Sequence, residues 1–141
     1  MSIRGSEPLP SPIPFEMEGV LQGRYTLGQI DTAGFGLEGV DLNGRNLLTT
    51  PLEVDGSKEV TGIVVRMTSK RISLSGSVRD ASGAPATSGA VLTFPASPAL
   101  WRDFGLSAIL FKTSSIVANG TYRVDRLVPG EYLMIAVPDE D

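Results

Sequence analysis

Turn-forming residues punctuate this chain so regularly that no long helix fits between them. Sixteen glycines and ten prolines, often beside Asn or Asp, are spread along the chain, and between them short strand-like segments follow at intervals of roughly 8–12 residues. Asn43-Gly44, Asp55-Gly56 and Asn119-Gly120 accept positive φ at turn positions, and Asp80 to Gly83 and Pro129-Gly130 bring further turn chemistry. The prolines Pro8, Pro10, Pro12 and Pro14 make the N-terminal piece extended, or an edge strand at most.

Between these turns the apolar residues repeat with period two. Tyr25 and Leu27, then Phe35, Leu37, Val40 and Leu42, open the series, and Asn46 to Thr50 and Leu52 to Val54 follow. Ile63, Val65 and Met67 share one face of the next segment. The clearest alternation is Ile72, Leu74, Gly76 and Val78 against Ser73, Ser75, Ser77 and Arg79. Ala90 to Phe94, Ile109 to Thr113, Tyr122 with Val124, and the apolar run Tyr132 to Val137 complete the set. The spacing predicts an all-β chain of about ten strands arranged as a β-sandwich. One helical turn is predicted at Leu100 to Phe104, carrying Trp101, and Val78 and Tyr132 are predicted to be core residues.

Composition narrows the chemistry. The chain of 141 residues has a formal charge of −4 and no run of basic residues, so nothing neutralises a row of phosphates and nucleic acid is not expected as a partner. With no cysteine there are neither disulfides nor thiolate metal sites, and with no histidine the commonest general base and metal-ligating imidazole are gone. No stretch reaches the roughly 20 apolar residues of a membrane span, so membrane insertion by this segment is not expected. Met1 to Phe15 lacks the apolar centre of a signal peptide.

Three runs carry a resemblance. They are Leu74-Ser-Gly-Ser-Val-Arg-Asp-Ala-Ser-Gly-Ala-Pro85, then Ser88-Gly-Ala-Val-Leu-Thr-Phe-Pro95, then Asn119-Gly-Thr-Tyr-Arg-Val-Asp-Arg-Leu-Val-Pro-Gly-Glu-Tyr132. In order and spacing they resemble the carboxypeptidase regulatory-like domains, whose pattern is a G-x-V strand, an acidic-Gly turn, a G-x-[YF] strand and an L-x-P-G-x-Y turn. The resemblance implies small Ig-like, prealbumin-like (transthyretin-like) Greek-key sandwich modules in tandem. Residues 1–69 would be the closing strands of a preceding module, and residues 70–141 a second module whose closing strands are not recognisable. Gln22-Gly-Arg-Tyr-Thr-Leu27 mirrors Asn119-Gly-Thr-Tyr-Arg-Val124 on this reading, with no L-x-P-G-x-Y turn between Gly28 and Phe35. The chain is therefore expected to be cut from a longer tandem array, incomplete as a fold and prone to self-association. Gly120 and Gly130 are expected at turn positions that need positive φ or close backbone approach, and Tyr122 and Tyr132 as inward rings.

With His and Cys absent, carboxylate pairs and Ser-Lys arrangements remain. Asp139, Glu140 and Asp141 read as a solvated tail, Asp80 and Asp125 as turn residues, and Lys70 and Lys112 have serines nearby but no nucleophile elbow. Asn119-Gly120-Thr121 fits a glycosylation sequon and equally a hairpin turn, and the turn reading is preferred. No catalytic, metal or cofactor site is predicted, and the chain is not expected to be an enzyme. The function expected is a structural spacer or domain-positioning unit of a larger exported bacterial protein, its partners being neighbouring domains of the same polypeptide. The family resemblance places it outside the cytoplasm. The alternative is a glycan- or peptide-binding module using an aromatic surface of Trp101, Phe104 and Tyr122, with exposure of Trp101 favouring binding and burial favouring the spacer.

Overall fold

The computed structural model describes residues 12–102 and 109–139. Among these residues there are ten strands and no α-helix. The strands are β1 Gly23–Tyr25, β2 Gly36–Leu42, β3 Arg45–Asn46, β4 Leu52–Val54, β5 Ile63–Thr68, β6 Ile72–Ser77, β7 Ala90–Pro95, β8 Lys112–Ser115, β9 Thr121–Leu127 and β10 Tyr132–Val137. All pairings are antiparallel, in sheets ordered β1-β4, β3-β2-β5, β6-β9 and β10-β7-β8, an arrangement consistent with a β-sandwich. A short 3-10 turn, Pro98–Leu100, starts on the proline that cannot continue the ladder and meets the helical turn expected at Leu100 to Phe104 only at Leu100; Phe104 lies outside the described residues.

Turn chemistry explains which strands pair. Asn43 and Gly44 both have positive φ (49° and 79°), so they close the two-residue hairpin that sets Leu42 opposite Arg45. Asp55-Gly56 does not make a second hairpin of this kind. Asp55 Oδ1 instead accepts from the amide and hydroxyl of Ser57, and β4 pairs with β1, not with β5. Gly120 has φ 81° and lies against the Val78 carbonyl, as expected. Gly130 differs: its φ is not positive and its nearest neighbour is the Tyr132 ring, so neither requirement applies.

The buried cluster ties the two halves of the chain together. Leu37, Val40 and Leu42 of β2 and Leu47 and Leu48 after β3 pack with Ile109 and Val128 from the second half. The Ile109 amide also donates to the Leu27 carbonyl (2.9 Å). Full burial of side chains such as Leu47 and Val40 contributes about 1.5–3 kcal/mol each. In the second half Val91 and Thr93 of β7 and Val124 and Leu127 of β9 are buried. Thr93 Oγ1 is enclosed with no hydrogen-bond partner among the described residues.

Several positions expected inside are less covered. Val78 and Tyr132 are half-buried, and Ile72 and Leu74 of the best-patterned strand are exposed. On β10, Leu133, Met134 and Ile135 are exposed as well. A period of two shows that a strand has two unlike faces, but not that a second layer covers the apolar one.

A repeat emerges that differs from the one read in the sequence. Phe15 to Tyr25 (FEMEGVLQGRY) matches Tyr122 to Tyr132 (YRVDRLVPGEY) position by position, with apolar residues at the same places. Tyr25 Oη donates to the Leu21 carbonyl and Tyr132 Oη to the Val128 carbonyl, both four residues back and both at 2.7 Å. Gly23 and Gly130 each lie beside the following tyrosine ring. Gly19 (φ 73°) and Arg126 (φ 58°) hold the same left-handed position. The structural counterpart of Gly23-Arg24-Tyr25 is therefore Gly130-Glu131-Tyr132, not Gly120-Thr121-Tyr122.

Candidate functional site

Trp101 is held from two sides. Its backbone amide donates to the Pro98 carbonyl at the end of the 3-10 turn, and its indole Nε1 donates to the Pro95 carbonyl at 2.7 Å. Phe94 of β7 meets the ring edge-on, with centroids 5.5 Å apart and planes at 80°. The side chain is nevertheless 42% exposed. An indole whose N–H already has a protein acceptor and whose rotamer is fixed by a neighbouring ring presents apolar surface with little ordering left to lose on contact. That suits stacking on the C–H face of a sugar or on an apolar peptide side chain.

Of the two residues expected beside it, only Tyr122 lies among the described residues. Tyr122 belongs to β9, in the sheet that does not contain β7, and its ring lies over Gly76, where a methyl group would meet the Tyr122 Oη at 2.7 Å. It borders a shallow hollow with Ser75, Ser77, Ser115 and Val117. Phe104 lies outside the described residues. The aromatic partner of Trp101 among the described residues is Phe94, which pattern reading had assigned only to a buried strand.

The carboxylates have local roles. Asp80 Oδ1 accepts from the Ser82 hydroxyl (2.6 Å) and from the amides of Ser82 and Ala84, and the Ser82 hydroxyl bond above all holds the carboxyl below its ordinary range. Asp125 pairs with Arg123 (2.7 Å). Asp139 is exposed, and Glu140 and Asp141 lie outside the described residues. No group of three or more metal-ligating side chains occurs among the described residues, and no helix there is long and apolar enough to cross a membrane.

Lys112 is different. It is half-buried on β8, and burial first, then the neighbouring Arg126 guanidinium, pushes its ammonium below the ordinary lysine range. Neither cation forms an ion pair among the described residues. In the sequence Arg126 stands fourteen residues from Lys112 with nothing to link them, and only the fold brings β8 and the end of β9 to one cleft. Comparison with protein-family models, with curated proteins and with solved structures found no match to this chain, so the resemblance to carboxypeptidase regulatory-like domains rests on its motifs.

Proposed function

We propose that this chain is a non-catalytic spacer of the carboxypeptidase regulatory-like, prealbumin-like type. Its two partial sandwich units, 1–69 and 70–141, hold neighbouring domains of one exported polypeptide at a fixed separation. The observation that carries the reading is the junction. Only Ser69, Lys70 and Arg71 separate β5 from β6, and the buried cluster of the first half includes Ile109 and Val128 of the second. A spacer transmits distance and orientation only if its parts do not hinge, and a shared core with a short connection opposes hinging. The absence of native cysteine makes a direct test simple. Spin labels on Val64→Cys of β5 and Leu133→Cys of β10, both exposed strand positions, should give one narrow dipolar distance distribution. A broad or two-peaked distribution would mean that the halves move independently, and the spacer reading would fail.

A second reading is favoured by Trp101, which is braced by Phe94 and Pro95 yet open to solvent. In this reading the module binds a glycan or peptide through that ring. Trp101 is the sole tryptophan, so its fluorescence reports on the site alone. Titration with soluble oligosaccharides and short peptides should shift or quench the emission saturably. Flat titrations across both classes would leave the spacer reading by itself.

A further inference from the structure

A cleft of about 210 Å³ lies between the two halves, walled by residues 28–37 on one side and by the Ile109–Lys112 and Arg126–Val128 segments on the other. Ile30, Phe35, Ile109 and Phe111 supply apolar lining, Gln29 and Thr32 add uncharged polar groups, and two cations, Lys112 and Arg126, reach it. Lys112 is half-buried and Arg126 exposed, so the charge held beside the apolar walls is chiefly the ammonium, and an anion joining the two would offset its burial and their mutual repulsion. No carboxylate among the described residues does so: Asp125, next to Arg126 in sequence, is turned to Arg123. Burial above all, and then the charge of Arg126, lowers the proton affinity of Lys112.

The backbone supplies an independent observation. β9 carries a bulge, in which Asp125 and Arg126 together face Ser73 while Val124 still pairs with Leu74 and Leu127 with Ile72. Bulges re-aim side chains, and here Arg126 adopts the left-handed φ of 58° that L-residues avoid. At the equivalent position of the repeat the chain uses Gly19, for which this conformation has no steric cost. A glycine would hold this conformation at no steric cost, whereas arginine there adds strain and a charge with no ion-pair partner among the described residues. Strain kept at a position that lines a cleft points to a use for the side chain.

We propose that this cleft binds a small amphipathic carboxylate, with Lys112 and Arg126 on the anionic group and Ile30, Phe35, Ile109 and Phe111 around its apolar body. The guanidinium fork can take both carboxylate oxygens while the ammonium adds a point charge. The volume is below the roughly 300–1,000 Å³ of drug-sized sites, which restricts the ligand to a short chain or single ring. This site is separate from the Trp101 surface and does not depend on the spacer reading.

The test uses the full chain titrated with hexanoate, acetate and hexanol, followed through the amide resonances of Ile109, Lys112 and Arg126. Hexanoate should bind saturably and more tightly than either analogue, acetate lacking the apolar body and hexanol the charge. Arg126→Gly and Lys112→Met should each weaken hexanoate binding by about tenfold, the loss expected for one charge-assisted contact. Arg126→Lys should retain part of it. Arg126→Gly should at the same time leave the thermal midpoint unchanged or raise it, because it installs the residue the repeat already uses. Absence of hexanoate binding, hexanol binding as tightly as hexanoate, or wild-type affinity in both variants would each overturn the proposal. So would a clear loss of stability in Arg126→Gly, since Arg126 would then be a structural residue.

Discussion

Adding one methyl group at Gly120 should cost far more than adding it at Gly130, although both glycines sit in turns of the same half. At Gly120 the backbone φ is 81°, a conformation that costs an L-residue about 1–2 kcal/mol. The new Cβ would lie 2.7 Å from the Val78 carbonyl oxygen and 3.0 Å from Pro85 Cβ, so the turn must move. Movement disturbs two backbone hydrogen bonds, Val78 amide to Gly120 carbonyl (2.8 Å) and Gly120 amide to Val117 carbonyl (2.7 Å). Each contributes about 1 kcal/mol. Gly120→Ala should therefore destabilise by about 3 kcal/mol in total, a large part of the roughly 5–15 kcal/mol that holds a domain together. At Gly130 φ is ordinary and a Cβ would sit 3.6 Å from the Tyr132 ring, a normal contact. Gly130→Ala should be neutral, or stabilising by up to about 1 kcal/mol through a less flexible unfolded chain. Urea unfolding followed by far-ultraviolet circular dichroism separates the two, with a midpoint lowered by roughly 1–2 M for Gly120→Ala at ordinary slopes. Equal costs at both positions, or a loss below about 1 kcal/mol at Gly120, would refute the assignment of strain to this turn.

Thr93→Val should stabilise the protein by about 1 kcal/mol, because it removes a buried hydroxyl without a partner at nearly constant volume; a loss in a thermal melt would show that the hydroxyl is bonded. Tyr132→Phe should cost about 1 kcal/mol, since the half-buried Oη gives up its bond to the Val128 carbonyl. The matching Tyr25→Phe should cost almost nothing, water replacing the bond at an exposed ring, and the two double-checked by denaturant midpoints should differ in that order. Asp80 has its folded carboxyl below the ordinary range, so its stabilisation is complete at neutral pH and is lost as pH falls through that lowered value. Asp80→Ala should flatten stability against pH below about pH 4, and an unchanged acid limb would contradict a stabilising role for the bonds from Ser82 and Ala84.

The sequence made the all-β class legible because turn residues and period two are local, and local signals survive whatever packs against them. Asn43-Gly44 needed nothing but its own dihedral preferences to specify the β2–β3 hairpin. Asp55-Gly56 carries the same letters, yet its flanking strands pair elsewhere, β4 with β1 and β5 with β2. A turn signal says that the chain reverses, not which strands then meet. Face assignment failed for the same reason. Ile72 and Leu74 alternate as cleanly as any residues in the chain and are exposed, because coverage of a face depends on a second layer that no window of the sequence encodes. The braced Trp101 was visible as a lone aromatic in a proline-bounded loop, whereas Phe94 beside it and the meeting of Lys112 with Arg126 required the fold.

The repeated segment shows how much a strand owes to its partner. Phe15 to Leu21 and Tyr122 to Val128 share apolar placement, and both are followed by the same Gly-x-Tyr anchor closed by a tyrosine-to-carbonyl bond. Tyr122 to Leu127 is nevertheless a strand, with Val124 and Leu127 buried, because β6 offers it Gly76, Leu74 and Ile72 in register. Phe15 to Leu21 has no strand partner among the described residues, and Phe15, Met17 and Leu21 remain exposed. The local code is equivalent, so its outcome must be decided by the hydrogen-bonding edge it meets, as expected for a strand whose backbone groups cannot satisfy themselves. The left-handed position carries the same lesson in reverse. Gly19 and Arg126 occupy one left-handed position, and the more costly residue stands where the fold has built a cleft around it. Where two copies of a motif differ, the copy that departs from the locally favourable residue is the one to examine for function.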